Sequence, residues 1–166
     1  MHLRELRPTT DEAVAHSLLV LQREAYAVEA QLLGDDRIPA LHECLDALRA
    51  APLHWLGALG DDHLLGAVAW SATDALVDVD RLVVSPAAHR GGIGTRLVSH
   101  VIDLAGSRDV SVSTGSGNAP ARALYERLGF ARVDDVEVLP RLWVTRYRLT
   151  PSAPRPGRAR ARTPAR

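Results

Sequence analysis

The chain contains no lysine; all 20 of its basic residues are arginine. That absence excludes a lysine Schiff base and a lysine-bearing phosphate loop. Cysteine is almost as scarce. Cys44 stands alone, so no internal disulfide can form, as expected in a reducing cytoplasm. The opening residues Met1-His2-Leu3-Arg4-Glu5 carry no signal-peptide apolar core. No run approaches the ~18 apolar residues that span a bilayer. The seven histidines do not share a metal-ligand spacing. These absences predict a cytoplasmic protein with no membrane partner and no metal.

Formal net charge is zero over 166 residues, but it is unevenly placed. Residues 151–166 hold five arginines and no acid. The remaining 150 residues carry 15 basic and 20 acidic side chains, a net of −5. A mildly acidic body argues against a general nucleic-acid partner. The length suits one domain, taken as residues 1–150, followed by a Pro-, Ala- and Arg-rich tail at 151–166 with nothing to bury.

Hydrophobic spacing gives the element order. Residues 2–7 read as a strand. Thr10 or Asp11 caps a helix over roughly 11–29, carried by Val14, Leu18, Leu21 and Ala25, and Gly34-Asp35-Asp36 breaks it. A second helix covers about 38–50. Strands at 55–59 and 64–70 flank Gly60-Asp61-Asp62, and a β-rich stretch runs from Ala75 to Val84. A helix over 94–105, a strand at 110–114, a helix at 119–128 closed by Gly129, and a strand at 142–149 complete the chain. The order β-α-α-β-β-β-α-β-α-β predicts a mixed α/β layer.

Chemistry concentrates where the Ala75–Val84 strand ends. After Pro86 comes His89-Arg90-Gly91-Gly92-Ile93-Gly94-Thr95, a basic, glycine-rich turn into a helix. A helix start exposes unpaired N–H groups and positive dipole, and glycines let an anion approach closely. A dinucleotide fingerprint needs a third glycine, yet Leu97 stands three residues after Gly94. What remains is a Gln or Arg three positions before two spaced glycines, with His89 in that first place. This window resembles the acetyl-CoA loop of the GNAT family of N-acetyltransferases. A second window supports the resemblance. Asn118-Ala119-Pro120-Ala121-Arg122-Ala123-Leu124-Tyr125-Glu126-Arg127-Leu128-Gly129-Phe130 matches every specified position of the family pattern Asn-x-x-Ala-x-x-Leu-Tyr-x-x-x-Gly-Phe. Asn118 is the chain's one asparagine.

The resemblance implies the GNAT fold, a central splayed mixed β-sheet flanked by about four helices, with the splay between the strands ending at Val84 and Thr114. It implies acetyl transfer from acetyl-CoA, a co-substrate, to a primary amine on a small molecule or peptide. Leu82, Val83 and Val84 would pair with the pantetheine arm. His89, Arg90, Gly91, Gly92, Ile93, Gly94 and Thr95 would hold the pyrophosphate. Asn118 would cap its helix and touch the sulfur region. The Tyr125 hydroxyl would protonate the departing thiolate.

A histone-acetylating branch carries a glutamate eleven positions before the Gln/Arg site, which is Asp78 here; Asp80 lies beside it. The base of a protein N-terminus-acetylating branch falls on Ser113. Tyr26, Glu29, His54, Trp55 and Trp70 fall where acceptor-binding elements gather. Two other functions stay open: an acetyl-CoA-binding regulatory module without catalysis, and a toxin-like acetylation of aminoacyl-tRNA. A homodimer is compatible with the sequence.

Overall fold

The structure is a computed structural model that describes residues 1–61 and 63–151; residues 152–166 of the expected tail lie outside them. Strand β1 is His2–Leu6, and α1 runs Glu12–Leu33. A 3₁₀ turn at Pro39–His42 leads to the short helix α2, Leu45–Ala50. Strands β2 (His54–Gly60), β3 (His63–Ala72) and β4 (Leu76–Val84) follow, then a 3₁₀ turn at Pro86–Ala88 and α3 (Ile93–Ala105). Strand β5 (Asp109–Gly115), α4 (Ala119–Arg127), β6 (Ala131–Leu139) and β7 (Leu142–Leu149) complete the fold.

The local physics is plain at the helix ends. Asp11 caps α1 by accepting the Val14 N–H at 3.1 Å. Gly34, at φ +64°, closes α1 in the left-handed region that glycine enters without strain. The helix expected over 38–50 divides, because Pro39 starts a 3₁₀ turn and the backbone is extended at Glu43 and Cys44. Strand β6 has no counterpart among the expected elements. It is an edge strand exposed along most of its length, and its Asp134-Asp135 pair interrupts apolar alternation.

The seven strands form one mixed sheet in the order β1-β2-β3-β4-β5-β7-β6. All neighbours are antiparallel except β4 and β5. Alternation along β3 sends Ala67 and Ala69 to one face and Val68 and Trp70 to the other. The first face packs under α1 and α2 with Leu18, Leu21 and Leu48. The second packs under α3 and α4 with Leu97, Val101 and Tyr125.

Two features of β4 prepare the site. Ala69 pairs with Arg81 while Trp70 pairs with Val79, so Asp80 is an extra residue, a β-bulge. Pairing with β5 runs from Leu76↔Asp109 to Val79↔Val112 and stops there. The two parallel strands therefore separate at the bulge, as the splayed sheet required.

Candidate active site

Beyond Val79 the facing edges of β4 and β5 have no strand partner in each other. Unpaired backbone groups in a protein interior are costly, so such an edge calls for a guest. The antiparallel ladder with β3 shows which groups are free. Ser85 donates its N–H to the Leu65 carbonyl. Hydrogen-bonded residues alternate, so Val83 and Arg81 also share their peptide groups with β3. Leu82 and Val84 turn theirs toward the opening. Of the three residues expected to meet the arm of the acyl carrier, Leu82 and Val84 turn their peptide groups to the opening, and Val83 is committed to the sheet and buried beneath α1.

The glycine-rich turn sits at the end of this edge. Neither the backbone N–H groups of Arg90, Gly92, Ile93, Gly94 and Thr95 nor their side chains donate to any other described residue. Gly92 enters the helix at φ +71° and Arg90 also holds a left-handed φ of +64°. A Cβ on Gly91 would approach the Ala88 carbonyl oxygen at 3.2 Å. The result is a set of open amides at the positive end of α3, an arrangement that favours an anion. The His89 ring reaches back to this edge, its Nε2 within hydrogen-bond distance, 3.2 Å, of the Val84 carbonyl oxygen. Gly94 joins the two sequence windows, because Leu124 of α4 sits 3.0 Å from where its Cβ would be.

Asn118 is buried and caps α4, its Oδ1 accepting the Ala121 N–H at 3.2 Å. Pro120 occupies the first turn, where its missing N–H costs nothing. Tyr125 follows on the inner face and is 3% exposed. Its ring meets Phe130 edge-on at 5.7 Å and Tyr147 at 5.9 Å. Tyr125 lines a cavity of about 90 Å³ at the splay, together with Tyr26, Glu29, Asp80, Leu82 and Ser113. Burial, and then the charge of Glu29, push the Tyr125 hydroxyl above the ordinary phenol range. The same two causes, in that order, raise Tyr26. Both phenols are proton donors at any physiological pH.

The acids around the cavity differ in their partners. Asp78 lies in the zipped part of β4, opposite Ser111, and accepts a hydrogen bond from the Ser111 hydroxyl. It is exposed and does not line the cavity. Asp80 accepts from Arg81 Nε at 2.8 Å. Glu29 stands on α1, half-buried, close to the Asn118 side chain and the Gly115 backbone. Burial raises its carboxyl, and those two neighbours pull the other way without cancelling the effect.

A buried polar cluster lies behind the bulge. Arg81 donates through both terminal nitrogens to Glu43, and to Gln22 Oε1 at 3.0 Å. Gln22 in turn donates to the Ala40 carbonyl at 2.7 Å and to Glu43 at 2.9 Å. The guanidinium also lies 5.6 Å from the Trp55 ring centroid. This cluster ties α1, the 40–43 segment and β4 together. The sequence carried one sign of it: Gln22 is a polar residue on the apolar stripe of α1. His54 stacks on Trp70 at 5.7 Å; neither they nor Trp55 line the cavity. Among the described residues no group of three or more His, Cys, Asp or Glu is placed to hold a metal. No described helix is long and apolar enough to cross a membrane.

Comparison with known proteins places the chain by family and by fold. A model of the acetyltransferase (GNAT) family matches residues 15–130. The chain is 30% identical over 142 residues to the UPF0157 protein YqkA of Bacillus subtilis, across 85% of this chain and 41% of that protein. It thus spans well under half the length of this curated relative. The fold matches an aminoglycoside 6'-N-acetyltransferase complexed with coenzyme A, with a TM-score of 0.70 at 17% identity, over 95% of this chain and all of the other. It also matches the ribosomal-protein-S18-alanine N-acetyltransferase of Escherichia coli, with a TM-score of 0.66 at 16% identity, over 90% and 92% of the two chains.

Proposed function

The chain belongs to the acetyltransferase (GNAT) family, and on that premise we propose that it transfers the acetyl group of acetyl-CoA to a primary amine. One observation carries the reading. The open amides of Arg90 and of Gly92 to Thr95, the free edge of β4 and the cavity lined by Tyr125 follow one another along a single path. A carrier with a diphosphate, an extended amide arm and a terminal thioester matches that path in order.

The residues act as follows. The amides of Arg90 and of Gly92 to Thr95 hold the diphosphate, with the Arg90 side chain and His89 beside it. Leu82 and Val84 extend their peptide groups to the arm as a neighbouring strand would. One of these N–H groups polarises the thioester carbonyl and stabilises the oxyanion when the amine attacks. Asn118 stands by the sulfur region. Tyr125 donates a hydrogen bond to the departing sulfur and passes it a proton. An ordinary alkyl thiol has a pKa of about 8.5, below that of the buried phenol. Full transfer from Tyr125 is therefore uphill alone. It becomes favourable when the phenol recovers a proton from the nitrogen, which sheds one as the amide forms.

Isothermal titration of the full chain with acetyl-CoA and CoA tests the binding step, and thiol release over a panel of amines tests the chemistry. Micromolar affinity and amine-dependent thiol release are expected. Absence of both would overturn the reading; binding without release would leave a sensor module.

A further inference from the structure

We propose that Glu29 is the group that accepts the proton of the acceptor ammonium, and that Leu33, seated on Gly115 and Gly117, aims it. This rests on the acetyl-transfer reading above. An amine must lose a proton before its lone pair can attack. Two carboxylates line the cavity, Glu29 and Asp80. Asp80 is paired with Arg81, whose Nε lies 2.8 Å from its Oδ2, so one of its oxygens is already engaged. Glu29 forms no ion pair with any described residue. Its half-buried setting raises its carboxyl, which strengthens it as a base. Asp78 is engaged by Ser111 and lies outside the cavity.

The placement of Glu29 follows from packing. Leu33 lies one helical turn beyond it. A Cβ on Gly115 would stand 2.7 Å from the Leu33 side chain, and one on Gly117 3.1 Å from it. The last turn of α1 therefore rests on bare backbone in the β5–α4 connection. That contact brings Glu29 beside Asn118 and Gly115, facing the wall that carries Tyr125.

The protons balance. The ammonium gives one proton to Glu29, which returns it to solvent. The neutral nitrogen forms the C–N bond to the acetyl carbon. As the tetrahedral intermediate collapses, the C–S bond breaks with its electron pair on sulfur. The second nitrogen proton reaches that sulfur through Tyr125.

The test compares the full chain with Glu29→Gln, using acetyl-CoA and the probes spermidine, tyramine, glucosamine and a peptide with a free N-terminus. Hydroxylamine serves as a nucleophile already neutral at pH 7.5. With any amine probe that reacts, Glu29→Gln is expected to lower kcat at least 50-fold. The KM for acetyl-CoA is expected to change less than twofold, and the acidic limb of the kcat–pH profile to disappear. The hydroxylamine rate is expected to fall less than fivefold. Removing a buried charge is also expected to leave the melting temperature unchanged or higher. Equal losses with hydroxylamine and amines would reduce Glu29 to a structural role, and an unchanged amine rate would overturn the proposal outright. A wild-type chain that transfers acetyl to none of the probes, hydroxylamine included, would instead overturn the acetyl-transfer reading, and this inference with it.

Discussion

Replacing Glu43 with glutamine removes one charge and almost no volume from the cluster behind the β4 bulge. Arg81 and Glu43 have side chains 11% and 13% exposed, so water cannot replace the lost partner. Breaking a fully buried pair costs about 3–5 kcal/mol, because the survivor is left charged and alone. Here Arg81 keeps Asp80 at 2.8 Å and Gln22 at 3.0 Å, so the loss is nearer ~2 kcal/mol. For a domain of this size that lowers Tm by roughly 4–8 °C. The pH dependence adds a second reading. Burial would raise the Glu43 carboxyl, but the Arg81 and Gln22 hydrogen bonds outweigh it and hold the group below its ordinary value. A depressed folded-state pKa gives stability that is complete above the unfolded value, about 4.3. That stability is lost as pH falls through the folded value. Urea midpoints for wild type and Glu43→Gln are therefore expected to differ clearly at pH 7 and to converge below pH 4. Identical midpoints at pH 7 would refute the claim that the pair stabilises the fold. A gap of unchanged size at pH 3.5 would refute its assignment to the carboxylate charge.

Other substitutions test other links. Tyr125→Phe is expected to slow thiol release by about 10²-fold while acetyl-CoA affinity by titration stays within a few-fold; equal rates would remove the hydroxyl from the chemistry. Gly94→Val places methyl groups against Leu124, 3.0 Å from the Cβ position. A cost of about 1–3 kcal/mol in urea denaturation and weaker CoA binding are expected, and wild-type values for both would refute the packing argument. Deletion of Asp80 removes the bulge without turning Arg81 to Val84 over, since the pairings on either side of it already alternate correctly. The chain is expected to fold and to lose at least tenfold in CoA affinity; undiminished affinity would show that the bulge does not hold the strands apart.

Legibility followed the range of the forces involved. The glycine turn and the Asn118–Phe130 helix could be read because their chemistry is local. A left-handed φ at Gly92, a side-chain cap at Asn118 and an αL glycine at Gly129 are each fixed by a few neighbouring residues. Sheet order around β4 and β5 was legible through the family resemblance. Edge strand β6 was not, because an exposed edge leaves little periodic signal. The Glu43–Arg81 pair was not either. It joins residues 38 apart in sequence, and no local rule brings them together. Glu29 was named only as one of several groups near the acceptor side. Its environment depends on Leu33 meeting two glycines more than 80 residues later.

The bulge at Asp80 shows how one residue serves several ends. In a regular strand Arg81 would share a face with Val77 and Val79, inside the apolar layer under α3. An uncompensated guanidinium there would be prohibitive. The extra residue shifts the parity, so Val83 and Arg81 turn to the α1 side while Leu82 and Val84 pack with Val79. Arg81 then reaches Gln22 of α1 and Glu43 beyond it, holding α1 against β4 where the strands part. The same residue bends β4 away from β5 and, through that clamp, keeps the helix carrying Tyr26 and Glu29 over the opening. Cavity and clamp therefore meet at one backbone irregularity, and deleting Asp80, which leaves Arg81 on the α1 side, is expected to disturb the cavity and to spare the contact with Glu43.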